Sequence, residues 1–283
     1  MRNAPFAATG VDVAVIGQGS WDVPESGARL EEARRALRRG VELGMTHIDT
    51  AEMYGAGAVE RIVGDAIEGL PRERLFITSK VLPSNARFSE TIAACERSLK
   101  RLRLDYLDLY LLHWPSNVLL EETMGALAQL ATDGKARFVG VSNFDTDEML
   151  EAKRLLGRVP LSCNQVLYHL NERGIEHRLL PEARAAGIAV VGYSPFGRRS
   201  FPRNAAQPDG VLGRIAEKHG ATPRQIILAA LTHGPGLFAI PKASSIAHVE
   251  ENAGAGDLEL DAVDMQEIDA AFPIGEPHEL ATL

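Results

Sequence analysis

The chain has 283 residues, of which 45% are hydrophobic and 24% are charged, and its formal net charge is −8. This length and composition are typical of a globular protein that buries its own core, and the acidic balance argues against nucleic acid as a partner. No uninterrupted apolar run of about 18 residues occurs, and the leading residues MRNAPFAATG lack the apolar core of a signal peptide. We therefore expect a cytoplasmic protein without a membrane span, and its two cysteines do not make a disulfide framework.

Apolar periodicity alternates between strand-like and helix-like segments along the whole chain. The predicted strands span 11–17, 46–49, 75–81, 107–113, 138–142, 162–168, 189–193 and 238–241. The predicted helices span 27–44, 59–70, 88–102, 119–131, 146–156, 176–186, 210–233 and 247–255.

Alternating strands and helices with short links predict parallel strands that are joined by crossover helices. No Pro- or Ser-rich linker divides the chain. We therefore predict an α/β fold, a (β/α)8 TIM barrel that residues 1–283 form as a single domain. The alternative is an open doubly wound sheet. Against it, no G-x-G-x-x-G motif opens a helix, and GQGS at 17–20 is only a fragment of one.

Four groups that can move or orient a proton fall at the ends of consecutive predicted strands. Asp49 ends the second strand and Tyr54 follows in the next loop, while Lys80 and His113 lie at the ends of the third and fourth strands. In a barrel, the carboxyl ends of the strands build the active site. Taken singly, each residue has an ordinary structural explanation, but the four together indicate a proton-donating site.

The chain resembles the aldo-keto reductase family, and its bacterial, short-loop members in particular. The resemblance runs from about residue 11 to 260, in the family's order, and rests on the segments IDTAEMYG (48–55), TSK (78–80), LLHWP (111–115), GVSNF (140–144), GYSPFG (192–197) and IPK (240–242). It implies a catalytic tetrad of Asp49, Tyr54, Lys80 and His113. In this interpretation Lys80 lowers the pKa of Tyr54, Asp49 fixes Lys80, and Tyr54 protonates a carbonyl oxygen. His113 is expected to be neutral and to orient the same oxygen.

The same resemblance implies a nicotinamide cofactor bound across the barrel mouth, because no side chain can supply a hydride. Ser142, Asn143 and Gln165 would hold its carboxamide, with Tyr193 stacked on the ring. The other residues implied to border the cofactor are Gly19, Ser20, Trp21 and Asp49, with Ser194, Phe196, Gly197 and Arg198 at the pyrophosphate. Trp21, Tyr54, His113 and Trp114 would form the substrate pocket. The eight histidines show no metal-ligand spacing, so we expect no metal.

The segment that begins at Lys242 is implied to bind the adenosine end of the cofactor. Its implied contacts are Lys242, Ser244, Ser245, His248, Glu251 and Asn252. The sequence departs from the family's commonest pattern twice: Ala243 stands where serine is usual, and His248 stands where arginine is usual. Histidine is shorter than arginine and only partly charged near neutral pH, so we expect NADPH with some use of NADH.

We therefore expect a reductase of small aldehydes or ketones, including dicarbonyls of the methylglyoxal type, that acts as a monomer. The alternative from another class is a regulatory subunit that senses a nicotinamide on the same barrel with little turnover. The physiological substrate is expected to depend on rim residues such as Trp21, Met53, Val81 and Trp114 and on the segment after Asp257.

Overall fold

Eight parallel strands form the barrel that the sequence predicts. The structure is a computed structural model that describes residues 1–283, except the side chain of Arg199. A short antiparallel hairpin precedes the barrel. The strands in chain order are β1 (Asn3–Pro5), β2 (Asp12–Ala14), β3 (Gln18–Gly19), β4 (His47–Asp49), β5 (Phe76–Val81), β6 (Leu107–Leu112), β7 (Ala136–Ser142), β8 (Leu161–Leu167), β9 (Ala189–Tyr193) and β10 (Leu237–Ala239).

Backbone hydrogen bonds join the two ends of the sheet that runs from β3 to β10. Ala239 N donates to Val15 O at 2.9 Å, and Gly19 N donates to Pro241 O at 3.1 Å. A Cβ at Gly19 would lie 2.6 Å from Ile240 O, so this close approach requires glycine. These bonds close the sheet into a barrel and remove its open edges.

Ten α-helices in the described residues surround the barrel, and most of them connect one strand to the next. They are α1 (Gly27–Glu42), α2 (Ala58–Ile67), α3 (Phe88–Leu102), α4 (Leu120–Thr132), α5 (Thr146–Leu156), α6 (Leu179–Ala186), α7 (Val211–His219), α8 (Pro223–Leu231), α9 (Ile246–Gly254) and α10 (Ala262–Ala271). No α-helix in the described part of the chain is both long enough and apolar enough to cross a bilayer.

The amino-terminal strand differs from the prediction. The predicted strand at 11–17 is divided, because Asp12–Ala14 pairs with β1 in the hairpin and the barrel itself begins with β3. The hairpin carries Phe6, which is fully buried with ring centroids 4.9 Å from Phe76 and 5.0 Å from Phe238. The apolar residues at 11–17 thus pack in both the hairpin and the barrel wall. Hydrophobic periodicity alone does not show which residues belong to which of the two.

Two helical regions also differ from the prediction. The region 210–233 is two helices, because Gly220 adopts a left-handed conformation (φ 60°) after α7 and Thr222 caps the start of α8. The last helix, α10, was not predicted. Only Asp264 and Ile268 are buried on this helix, so its sequence lacks the periodic apolar pattern by which an amphipathic helix is recognised.

Candidate active site

A cavity of about 620 Å³ opens at the carboxyl ends of the barrel strands. It is lined by Gly19, Trp21, Asp22, Asp49, Met53, Tyr54, His113, Trp114, Ser142, Asn143, Gln165, Tyr193, Ser194, Pro195, Phe196, Arg198, Ile240, Lys242 and Leu283. Most of the residues predicted from the sequence therefore meet at one cavity. Asp22, Pro195 and Ile240 also line it and were not among the predicted site residues, although Pro195 and Ile240 lie within the GYSPFG and IPK segments.

The Lys80 ammonium lies behind the cavity, where it contacts three groups. Its Nζ donates to Asp49 Oδ1 at 2.5 Å, to Thr50 O at 2.9 Å and to Tyr54 Oη at 3.3 Å. Lys80 is fully buried and Asp49 nearly so, while Tyr54 is 8% exposed and faces the cavity. Burial lowers the pKa of Lys80, but Asp49 and Tyr54 more than compensate, so its net pKa is raised and the ammonium stays charged.

The pKa of Tyr54 corrects one expectation from the sequence. Burial raises it, and the effect of burial exceeds the opposing effect of the Lys80 ammonium. The nearby Asp49 carboxylate raises it further. Lys80 favours the phenolate as expected, yet the net pKa lies above the ordinary value rather than below it. The phenol therefore keeps its proton at neutral pH.

Gln165 connects the far side of the barrel to the carboxylate. Its Nε2 donates to Asp49 Oδ2 at 2.7 Å, across 116 positions in the chain. Asp49 thus uses one oxygen for Lys80 and the other for Gln165. The sequence suggested Gln165 only as a cofactor contact, because a bond between β4 and β8 becomes visible only once the barrel is closed.

His113 lies beside Tyr54 and is held neutral. Burial, and then the charge of Lys80, lower the pKa of His113 to about 2. Its ring centroid lies 5.8 Å from that of Tyr54 and 4.6 Å from that of Trp114. Trp21 covers the other side of Tyr54, with ring centroids 5.0 Å apart. The four residues predicted for the substrate pocket, Trp21, Tyr54, His113 and Trp114, therefore line the same cavity.

Ser142, Asn143, Gln165 and Tyr193 form one hydrogen-bonded group at the cavity wall. Ser142 Oγ donates to Gln165 O at 2.8 Å, and Tyr193 Oη donates to Asn143 Oδ1 at 2.8 Å. Asn143 adopts a left-handed backbone conformation (φ 60°), which is uncommon outside glycine and is often found at functional sites. Burial raises the pKa of Tyr193 to about 12. These side chains are fixed in place before any ligand binds.

The loop after β9 lies against the loop that follows β3. Ser194, Gly197 and Arg198 all have positive φ, and the Arg198 guanidinium lies 5.9 Å from the centre of the Trp21 ring. Ser20, which was predicted to border the cofactor, is fully buried and does not line the cavity. Gly197 is likewise buried and does not line the cavity.

The predicted adenosine segment continues from the cavity along the start of α9. Lys242 lines the cavity, and Ser245 caps α9 by accepting from His248 N at 3.4 Å. The Ser244 Oγ is buried without a hydrogen-bond partner in the protein. His248 is exposed in the first turn of the helix.

The last two predicted adenosine contacts are held by the protein itself. Glu251 accepts a bond from Thr222 Oγ1 at 2.8 Å, and Asn252 is only 3% exposed.

Among the side chains that the structure describes, no group of three or more His, Cys, Asp or Glu residues is placed to bind a metal ion.

Comparison with known proteins identifies extensive similarity. A model of the aldo/keto reductase family matches residues 15–272. Methylglyoxal reductase YeaE of Escherichia coli (strain K12) is 44% identical over 263 residues, which are 93% of this chain and 92% of that protein. Glyoxal reductase of Bacillus subtilis (strain 168) is 38% identical over 266 residues, which are 92% of this chain and 90% of that protein.

Solved structures of similar sequence share the whole architecture. An aldo/keto reductase from Klebsiella pneumoniae in complex with NADP and acetate superposes with a TM-score of 0.91 at 38% identity, over 100% of both chains. A structure of an aldo-keto reductase from the same organism in complex with NADPH gives a TM-score of 0.90, also at 38% identity and 100% coverage of both.

Proposed function

The chain belongs to the aldo/keto reductase family and is an NADP-dependent oxidoreductase, and we propose that it reduces small aldehydes and ketones with Tyr54 as the general acid. The observation that carries the proposal is the hydrogen bond between Lys80 Nζ and Tyr54 Oη at 3.3 Å. It joins a phenol that faces the cavity to a buried cation whose charge is held by Asp49.

The proposed reaction needs a proton at the carbonyl oxygen as hydride reaches the carbon. Bound NADPH supplies the hydride. Tyr54 donates its proton to the oxygen, and Lys80 stabilises the phenolate that remains. The neutral imidazole of His113 donates a second hydrogen bond to the same oxygen and polarises it. In the reverse direction, the tyrosinate accepts the proton of an alcohol.

The residues of this chain fit a nicotinamide dinucleotide at both ends of the site. Ser142, Asn143 and Gln165 offer fixed polar groups at the cavity wall, where the carboxamide would bind. At the other end, Lys242 supplies a positive charge and Ser244 an unpartnered hydroxyl for a phosphate. The start of α9 adds the partial positive charge of a helix amino terminus.

The substrate class follows from the chemistry of the pocket and from the relatives. Trp21, Trp114 and Met53 give the cavity an apolar wall around the Tyr54 hydroxyl, so a small carbonyl compound fits better than a highly charged one. Because similar proteins are a methylglyoxal reductase and a glyoxal reductase, we propose reactive dicarbonyls as preferred substrates.

One assay panel tests this function. Oxidation of NADPH and of NADH is followed with methylglyoxal, 4-nitrobenzaldehyde, glyceraldehyde and a keto acid. We expect sustained turnover with the aldehydes and a higher kcat/KM with NADPH. A single turnover followed by arrest would instead favour a nicotinamide-sensing subunit. No turnover of any carbonyl compound, with cofactor bound, would contradict the proposal.

We also propose that residues 1–283 form one domain and that the protein is a monomer. The hydrogen bonds between the two ends of the sheet support a single domain, because the barrel cannot close unless both ends are present. Denaturant unfolding followed by two probes should give one coincident transition, and size-exclusion with light scattering should give the monomer mass. Separate transitions or a dimer mass would contradict these points.

A further inference from the structure

Two buried carboxylates flank Tyr54 in the chain, and neither lines the cavity. Glu52 precedes the tyrosine by two positions and is 8% exposed, while Glu60 lies in the first turn of α2 and is fully buried. Buried carboxylates are costly unless they are paired or hydrogen-bonded, so the partners of each indicate what it does.

Glu52 extends the pairing of β4 and β5 beyond the end of the strands. Its backbone N donates to Lys80 O at 3.3 Å. Its side-chain Oε1 accepts from Leu82 N at 2.7 Å and from Asn85 Nδ2 at 2.8 Å. The carboxylate therefore takes the place of a backbone acceptor, and it ties the loop that carries Tyr54 to the segment that follows Lys80.

Glu60 makes the corresponding connection on the other side of Tyr54. Its Oε1 accepts from Ser79 Oγ at 2.6 Å, and its Oε2 pairs with the guanidinium of Arg101 on α3. Ser79 immediately precedes Lys80 in β5. The segment from 52 to 60 is thus bound to β5 on both sides of Lys80.

The turn between Glu52 and Glu60 has an intrinsically unfavourable backbone conformation. Gly55, Ala56 and Gly57 all have positive φ, of 54°, 48° and 87°. For Ala56 such a conformation is unfavourable and persists only when the surroundings enforce it. Contacts outside the turn must therefore fix the position of Tyr54.

We propose that Glu52 and Glu60 are positioning residues that hold the Tyr54 hydroxyl within hydrogen-bonding distance of Lys80. This inference rests on the proposed role of Tyr54 as the general acid. The Tyr54–Lys80 bond, at 3.3 Å, is already at the long end of the range, so a small displacement breaks it. A misplacement of about 1 Å can lower a rate by about 10²-fold.

The test compares Glu52→Ala and Glu52→Gln with Tyr54→Phe and with a matched control, Asp264→Ala. Asp264 is also a buried carboxylate, at 2% exposed, but its partners Lys218 and His219 lie on α7, outside the barrel. For each protein we would measure kcat, KM, the dissociation constant of NADPH, the melting temperature, and the pH dependence of alcohol oxidation with NADP⁺.

Glu52→Ala should lower kcat by about tenfold or more while leaving the NADPH dissociation constant unchanged. With Lys80 less well placed, the pKa of Tyr54 should rise, so the increase of alcohol oxidation with pH should move to higher pH. Glu52→Gln should recover most of the lost kcat, because its amide oxygen can still accept from Leu82 N. Asp264→Ala should lower the melting temperature without altering kcat or the pH curve.

Three results would overturn the inference. If Glu52→Ala keeps the wild-type kcat and pH curve while Tyr54→Phe is inactive, only the positioning role is wrong. The same holds if Glu52→Ala behaves like Asp264→Ala, with lower stability and an unmoved pH curve. If Tyr54→Phe itself turns over like the wild type, the proposed function is wrong and the inference falls with it.

Discussion

The Lys80 ammonium lies 2.5 Å from the Asp49 carboxylate in the barrel interior, where Lys80 is fully buried and Asp49 nearly so. Such a pair is stable only while it is complete, because either charge alone would be buried without compensation. The pair therefore links the stability of the barrel to the charge on which the proposed acid depends. Removing one partner should affect both.

Asp49→Asn should lower kcat and destabilise the fold together. The asparagine leaves Lys80 without its counter-charge, and breaking a buried pair in this way costs about 3–5 kcal/mol. We expect kcat to fall by about 10²-fold, because an uncompensated Lys80 loses its proton or its position. Urea unfolding and steady-state kinetics measure the two effects. Asp147→Asn is the control, since its pair with Arg178 is exposed and should leave both quantities nearly unchanged.

Tyr54→Phe should lower kcat for aldehyde reduction by at least about 10²-fold, the lower end for a positioned acid. Phenylalanine keeps the ring between Trp21 and His113, so the melting temperature and NADPH affinity should change little. Tyr106→Phe removes a phenol hydroxyl elsewhere in the chain and should retain activity. Near-wild-type turnover of an aldehyde by Tyr54→Phe would refute the assignment of Tyr54.

The rate of reduction should be independent of pH between about 5 and 8 when NADPH is saturating. A histidine would normally titrate in this interval, but burial and Lys80 lower the pKa of His113 to about 2, so it stays neutral throughout. Tyr54 must be protonated to act, and because its pKa is raised, the rate should fall only at alkaline pH. An inflection in kcat between about pH 6 and 7 that disappears in His113→Gln would contradict this view.

Much of this site could be predicted from the sequence, because each strand end carries its functional residue in a fixed local pattern. Asp49, Lys80 and His113 follow apolar strands, and a closed barrel must bring such ends to one rim. The net pKa of Tyr54 could not be predicted, because it depends on how deeply the phenol is buried relative to its distance from Lys80. A sequence gives the charged neighbour but not the degree of burial.

The hydrogen bonds that join distant parts of the chain also could not be predicted from the sequence. The Gln165–Asp49 bond joins β4 to β8, and the Glu52–Leu82 bond joins two loops that are 30 positions apart. Neither follows from periodicity, which reports only which face of an element is apolar. The hairpin that carries Phe6 was missed for a similar reason, since its burial comes from distant strands.

Acid should destabilise the protein partly through His47. This residue is fully buried beneath the site, and burial lowers its pKa to about 4. An unfolded histidine titrates near pH 6.5, so between about pH 6.5 and 4 the unfolded state binds a proton that the folded state does not. The free energy of unfolding should therefore decrease by about 1.4 kcal/mol per pH unit on acidification from this group alone.

Denaturant unfolding at several pH values measures this dependence. His47→Gln should show a shallower loss of stability with falling pH, by about one proton's contribution. His233→Gln is the control, because His233 is exposed and should leave the slope unchanged. Equal slopes for wild type and His47→Gln would contradict the prediction.

His248→Arg should sharpen the preference for NADPH over NADH. The residue lies in the first turn of α9, where its backbone N donates to the side chain of the cap Ser245. A histidine carries only part of a charge near neutral pH, whereas arginine offers a permanent charge and two parallel donors to a phosphate. One additional charge-assisted bond of about 1.5 kcal/mol should lower KM for NADPH by about tenfold.

The same substitution should hardly change KM for NADH, which lacks the 2′-phosphate. Ala247→Arg is a matched control, because it adds the same charge at the neighbouring exposed position of the same helix. If attraction between any positive charge and the cofactor were sufficient, both variants would bind NADPH equally well. We expect His248→Arg alone to show the selective gain. A parallel decrease in KM for both cofactors would mean that His248 does not face the 2′-phosphate.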